Sequence, residues 1–280
     1  MLIAPERLNR HLSDRGWIVF DCRHDLLDHQ KGARVFAEGH IPGAHFAPAE
    51  TVLSGVKTGR NGRHPLPAPA AFAAFLGKCG VSAQTEIVAY DDVGGQYASR
   101  LWWLTRWIGL VRVRVLDGGW PKWVSDGFPT STEASVARAG GNVTAHPDAS
   151  RALEVAGVIA GLASGRCLVL DARAPERFRG EAEPVDPIAG RIPSARNRFF
   201  KANLNADQTM RPQAELKQEF ASLLNGRSSA EVVHQCGSGI SACVNLLAME
   251  HAGLSGSKLY PGSWSEWIAD PSRPIARGPA

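Results

Sequence analysis

Glu231-Val-Val-His-Gln235 runs without a break into Cys236-Gly-Ser-Gly-Ile-Ser-Ala-Cys243, and then into a helical pattern of Ile240, Val244, Leu247, Ala248 and His251 that Gly253 stops. A short apolar run without polar alternation reads as a strand covered on both faces, and the period that follows it reads as the crossover helix. Strand, tight loop and helix in that order form a parallel βα unit, and in such sheets ligands bind at the carboxyl ends of the strands. The same alternation extends outward along the chain. Strands are expected at Trp17–Asp21, Glu86–Tyr90 and Arg112–Leu116, and again at Cys167–Asp171, Glu231–Gln235 and Lys258–Tyr260.

The halves read as copies. Val19-Phe-Asp-Cys-Arg23 recurs as Val169-Leu-Asp-Ala-Arg173, Gly39-His-Ile-Pro-Gly-Ala44 as Gly190-Arg-Ile-Pro-Ser-Ala195, and Gly118-Gly-Trp-Pro-Lys-Trp123 as Gly262-Ser-Trp-Ser-Glu-Trp267. Periodicity lapses in the Pro/Ser/Thr/Gly-rich run from Pro129 to Ser150. The expected organisation is an N-terminal domain at 1–129, a linker at 130–150 and a C-terminal domain at 151–280, each an α/β unit with a parallel sheet and helices on both faces. An ungapped shift taken from the third repeated block sets Asp92 opposite Cys236.

Composition narrows the function classes. In 280 residues, 44% are hydrophobic and 21% charged, with Gly 29 and Pro 18 scattered, which excludes disorder, collagen-like repeats and coiled coil. Lys+Arg 31 against Asp+Glu 27 leaves +4, too small an excess to announce nucleic-acid binding and compatible with an enzyme for small anions. The apolar run Leu101 to Leu110 is broken by Arg106 and is shorter than the roughly 20 residues a membrane span needs. Glu6, Arg7, Arg10, Asp14 and Arg15 leave no room for a signal-peptide core, so a cytoplasmic location is expected. Cys22, Cys79, Cys167, Cys236 and Cys243 are odd in number and dispersed, with no CxxC pair and no zinc spacing, and read as thiols in a reducing compartment.

Most free cysteines are small buried apolar residues, the reading taken for Cys22, Cys79, Cys167 and Cys243. Cys236 differs by its place. Between a strand end and a helix start, it lies near amides that no helix bond satisfies, and these and the helix dipole stabilise a thiolate. Gly237 and Gly239 let such a loop turn its amides inward. Three chemistries share this context. Gly237-Ser-Gly-Ile-Ser-Ala242 fits a dinucleotide fingerprint, but Ser257-Lys-Leu-Tyr-Pro261 lacks the acidic residue that binds ribose. A cysteine phosphatase needs an arginine six positions on, where Ala242 stands. Sulfur transfer through a persulfide remains, and its cargo has no oxygens to clamp.

The Asp-x-Arg strand ends, the Gly-His-Ile-Pro-Gly-Ala segment at 39–44, the run Leu116-Asp-Gly-Gly-Trp120 and the Cys236 loop resemble the signatures of tandem-domain rhodanese-type sulfurtransferases over nearly the whole chain. The resemblance implies two tandem rhodanese-like domains, an inactive N-terminal copy and a catalytic C-terminal one. The Cys-Gly-Ser-Gly loop is similar to that of 3-mercaptopyruvate sulfurtransferases. Thiosulfate-specific members usually carry Arg-Lys after the cysteine, so mercaptopyruvate is the favoured donor and thiosulfate the alternative, with a non-catalytic binding module as a different class of reading. The resemblance further implies Cys236, Ser238 and His64 as catalytic residues, and Arg177, Arg179, Gly237, Gly239, Ile240 and Ser241 as the substrate-binding set. Ser238 could equally cap the helix that follows. His64, within Arg60-Asn-Gly-Arg-His-Pro-Leu-Pro67, resembles a first-domain histidine of the mercaptopyruvate enzymes, with Glu50 as an acidic companion. A second substrate arginine, usual a few residues after Arg177, is missing from Glu183-Pro-Val-Asp-Pro187, with Arg191 and Arg173 as stand-ins. No metal or organic cofactor is expected. The expected partners are a small-molecule sulfur donor, a thiol or cyanide acceptor and a thioredoxin-like reductant, with no nucleic acid and no membrane.

Overall fold

The computed structural model describes residues 1–135 and 141–279, so positions 136–140 of the expected linker lie outside the described residues. The chain divides into two compact units. One comprises Met1–Gly55, Leu66–Asp148 and Asn205–Met210, the other Val56–Pro65, Ala149–Leu204 and Arg211–Ala280.

The first unit is built on five parallel strands, β1 (Leu2–Ile3), β2 (Trp17–Asp21), β3 (His45–Phe46), β4 (Glu86–Tyr90) and β5 (Val113–Leu116), in the order β1-β5-β4-β2-β3. Its central strands are buried on both faces, as an unbroken Val/Ile/Phe pattern requires. Val19, Val88 and Tyr90 join Leu8, Ile41 and Trp123 in one apolar cluster. Beyond its last helix, Ser131 exchanges backbone hydrogen bonds with His40, and the His146 N–H donates to the Ile108 carbonyl.

The second unit repeats the plan with β6 (Leu168–Asp171), β7 (Arg196–Asn197), β8 (Val232–Gln235) and β9 (Lys258–Leu259), parallel and in the order β7-β6-β8-β9. Val169 and Val233 pack on Val158, Phe178, Ile192, Trp264 and Trp267. The parallel α/β architecture of the repeat is therefore as expected, and the six anticipated strands agree with the structure to within a residue at each end. β1, β3 and β7 were not anticipated, because two residues are too few to show a period.

The repeated Asp-x-Arg does the same work in both units. Arg23 clasps Asp21 and the Gly39 carbonyl with Trp120 4.3 Å from its guanidinium carbon, while Arg173 clasps Asp171 and the Gly190 carbonyl with Trp264 at 4.7 Å. These arginines tie strand ends to neighbouring loops, which is why Asp21 and Asp171 tolerate full burial. Trp102, Trp103, Trp123, Trp264 and Trp267 are core. Among the described residues no helix is long and apolar enough to cross a membrane.

Candidate active site

β8 ends at Gln235 and delivers Cys236 to the carboxyl edge of its sheet, 2% exposed. The loop is fastened from below: the Trp264 N–H donates to the Cys236 carbonyl at 3.0 Å and the Ser265 N–H to the Gly237 carbonyl at 2.9 Å. The Cys236 N–H donates to Ser263 Oγ at 3.2 Å, and that hydroxyl donates to the Tyr260 carbonyl at 2.9 Å. Ser263 holds a left-handed φ of 54°, a strained conformation for a residue with a side chain, retained here because its buried hydroxyl bridges two backbone groups.

The loop then turns the Gly239 amide toward the sulfur. At φ 78° the Gly239 N–H donates to Cys236 Sγ at 3.1 Å, a contact that favours negative charge on sulfur. A Cβ at Gly239 would stand 2.4 Å from the Pro261 carbonyl oxygen, so only glycine closes this turn. Helix Ala242–His251 starts immediately, with Ser241 as its N-cap, and aims its N-terminal end at the loop.

Polar side chains converge on Gly237. A Cβ built there would lie 2.8 Å from Arg63 Nη2, 3.5 Å from Arg177 Nη2 and 3.6 Å from Asp186 Oδ2. Arg177 donates through Nε and Nη2 to Glu183, and through Nη2 to Asp186 at 3.1 Å. Arg63 Nη1 donates to the other Asp186 oxygen, and its buried Nε has no hydrogen-bond partner among the described residues. Burial pushes the Arg63 guanidinium below its ordinary value, with the Cys236 sulfur pulling it back up. His64 is buried with Nδ1 2.7 Å from Ser238 Oγ. The segment carrying both is pinned to the second unit by the Arg63 N–H, which donates to Ser265 Oγ at 3.0 Å, and by Gly62, whose φ of 82° brings its Cα against Gly262.

Of the residues singled out from sequence, Cys236, Gly237, Ser238, Gly239, His64 and Arg177 come together here, with Ile240 buried behind the loop and Ser241 at the helix start. Ser238 does not cap the helix; its hydroxyl is engaged by His64. Arg179 is elsewhere, in a pair with Glu181 that is exposed on both sides. Glu50 belongs to the first unit, where Oε1 is 3.7 Å from His24 Nε2. Both stand-in arginines are engaged by other groups. Arg173 is locked by Asp171, Glu183 and the Gly190 carbonyl, and Arg191 donates to the Gly278 and Pro279 carbonyls over the Phe178 ring. The second guanidinium beside the loop is that of Arg63, which sequence reasoning missed although it adjoins His64. Asp186 and Ser263 were missed too; a serine replacing the second glycine of Gly118-Gly119-Trp120 was the available signal for Ser263. Among the described residues no cluster of three or more His, Cys, Asp or Glu could hold a metal ion.

The sequence pattern of the rhodanese-like domain matches the chain twice, at residues 4–126 and 155–270. The chain belongs to the rhodanese-like family. It is 46% identical over 279 residues to a probable 3-mercaptopyruvate sulfurtransferase of Pseudomonas aeruginosa, covering 99% of this chain and 98% of that one. It is 40% identical over 260 residues to the provisionally named thiosulfate sulfurtransferase SseB of Mycobacterium tuberculosis, covering 91% and 89%. The crystal structure of SseA from Escherichia coli, a 3-mercaptopyruvate sulfotransferase by its description, superposes with a TM-score of 0.81 at 28% identity, covering 94% of this chain and 98% of that one.

In the first rhodanese-like domain the corresponding loop is filled by its own side chain. Tyr90 accepts from the Cys22 amide as Gln235 does from Ala172, and Asp91 accepts from the Trp120 amide as Cys236 does from Trp264. Asp91, not Asp92, therefore stands opposite Cys236. The segment from Asp91 to Trp120 is one residue longer than that from Cys236 to Trp264, so a shift counted from the tryptophans slips by one at the strand. The Asp91 carboxylate receives the amides of Val93, Gly95, Tyr97 and Ala98 at 2.8–2.9 Å.

The glycines make a separable prediction. Gly237→Ala meets only the end of a flexible arginine, so its denaturation midpoint should stay near wild type while kcat/KM falls through displaced Arg63; Gly239→Ala, meeting backbone at φ 78°, should lose both stability and activity. Parallel urea melts and donor kinetics separate the two.

Proposed function

We infer that this chain is a sulfurtransferase in which Cys236 takes sulfur from 3-mercaptopyruvate, holds it as a persulfide and passes it to a thiol or to cyanide. The observation that carries the reading is the Gly239 amide directed at a cysteine sulfur, with two arginines beside the same loop. The thiolate attacks the donor thiol sulfur; an S–S bond forms, the donor C–S bond breaks, and its electron pair leaves as the enolate of pyruvate, which takes up a proton. An acceptor thiolate then attacks the outer sulfur and restores the Cys236 thiolate.

Arg177 and Arg63 suit the donor carboxylate, since a guanidinium offers two parallel donors and the Arg63 Nε is an orphan that a carboxylate oxygen would satisfy. The Ser238–His64 pair suits the proton delivered to the enolate, because a buried hydroxyl bonded to imidazole can donate and be resupplied. Arg179, remote in its exposed pair, has no part in this reading. Arg63→Ala and Arg177→Ala should each lower kcat/KM for 3-mercaptopyruvate by about 10- to 100-fold, mainly through KM, as expected for lost charge-assisted hydrogen bonds.

The deciding experiment compares 3-mercaptopyruvate with thiosulfate at fixed cyanide, with intact-mass measurement after donor alone. One added sulfur on Cys236 is expected, and its absence with both donors overturns the mechanism. Faster turnover of thiosulfate, with sulfite leaving as the thiolate captures the outer sulfur, would make that the donor. The first domain is read as non-catalytic, because Asp91 holds the place of the cysteine. A thioredoxin-like reductant is a fitting acceptor for a persulfide, and a reducing, cytoplasmic setting suits five free thiols.

A further inference from the structure

We propose that Asp186 determines which donors the site accepts, by setting the charge that the two arginines present to an anion. The proposal rests on the reading of this loop as a sulfur-transfer site and adds to it a residue with no part in the chemistry.

Asp186 is 6% exposed, and its two oxygens are divided between the two arginines, Oδ1 with Arg63 and Oδ2 with Arg177. Glu183, three residues earlier, is a different kind of carboxylate. It is claimed by Arg173, by Arg177 and by the amides of Val185 and Asp186, so it shapes its own turn. Among the described residues the hydrogen bonds of the Asp186 carboxylate are to guanidinium groups, and its Oδ2 lies 3.6 Å from the Cβ position at Gly237, on the side of the loop where a donor must sit. Its hydrogen bonds to Arg63 and Arg177 set the charge that those two groups present at Gly237.

The charges around the loop nearly cancel before any donor arrives. Arg63, Arg173 and Arg177 face Asp171, Glu183 and Asp186. A donor with one carboxylate is tolerated by such a site because it shares the two guanidinium groups with Asp186. A dianion such as thiosulfate is repelled twice as strongly by the same carboxylate, because the energy scales with the product of the charges. Removal of that one charge should therefore favour thiosulfate over 3-mercaptopyruvate, whatever it does to either alone.

The test measures kcat/KM for both donors on wild type, Asp186→Asn and Asp186→Ala, with both donors assayed on one preparation of each protein so that any unfolded fraction divides out of the ratio. The ratio of thiosulfate to 3-mercaptopyruvate should rise about tenfold or more in both variants, about 1.4 kcal/mol. Glu215→Gln, the same change of net charge at an exposed carboxylate paired with Arg211 on helix Gln213–Leu224, should leave the ratio at the wild-type value. A ratio that fails to rise in either variant, or that rises equally in Glu215→Gln, overturns the assignment to Asp186 while leaving sulfur transfer intact. A wild type that turns over neither donor overturns the sulfur-transfer reading itself.

Discussion

Cys236→Ser is expected to lower sulfur transfer by more than about a thousandfold with either donor, and to leave no added sulfur in the intact mass. The serine hydroxyl has nearly the shape of the thiol and still offers the Gly239 amide an acceptor, so the fold has little reason to change. What it lacks is a polarisable anion able to form and break an S–S bond near neutral pH. A denaturation midpoint within about 1 kcal/mol of wild type is expected alongside the lost turnover. Unchanged turnover would assign the chemistry to another residue and revive the reading of the second domain as a binding module.

Asp91→Ala should reverse that pattern, with stability falling by about 3–4 kcal/mol while the chemistry at Cys236 persists in the folded fraction. Four amides converge on one carboxylate, those of Tyr97 and Ala98 buried and those of Val93 and Gly95 half-buried, and truncation removes the acceptor from all of them. For a unit of this size that is a melting-temperature drop of about 10 °C. Burial pushes the Asp91 carboxyl up to about 6, from 3.8, against the pull of the Ala98, Val93 and Gly95 amides. The folded chain thus binds this proton more tightly than the unfolded one. The Asp91 contribution to stability is therefore largest below the unfolded value, falls as pH rises from about 4 to about 6, and is level above that. The stability difference between wild type and Asp91→Asn, read from urea melts across pH 4–7, should show this downward slope.

The pairing of Asp91 with Cys236 explains how one fold supports two kinds of loop. Both domains direct backbone N–H groups at the residue just beyond the central strand, four at Asp91 and that of Gly239 at Cys236. A cysteine there leaves an amide directed at its sulfur, and an aspartate there satisfies the donors with its own side chain and makes the loop a structural clasp. The first domain is stabilised by what makes it unsuited to the reaction proposed for the second.

Much of this was legible in the chain before any coordinates. The doubled Asp-x-Arg and Gly-Gly-Trp blocks, the apolar strands and the cysteine between strand and helix depend on neighbours a few residues away, and period, turn chemistry and repeat spacing record such local relations directly. They were enough to assign a parallel α/β repeat and to single out Cys236, Gly237 and Gly239. The tertiary structure alone decided that segment 56–65 packs with the second unit, bringing Arg63 and His64 to a loop more than 170 residues further on. It alone showed that Arg173 and Arg191 are occupied, that Arg179 is remote, and that Asp186 stands between Arg63 and Arg177. An arginine looks the same in sequence whether its fork holds a carbonyl, a carboxylate or nothing. Which of these it holds depends on long-range packing, and long-range packing leaves no period in the chain.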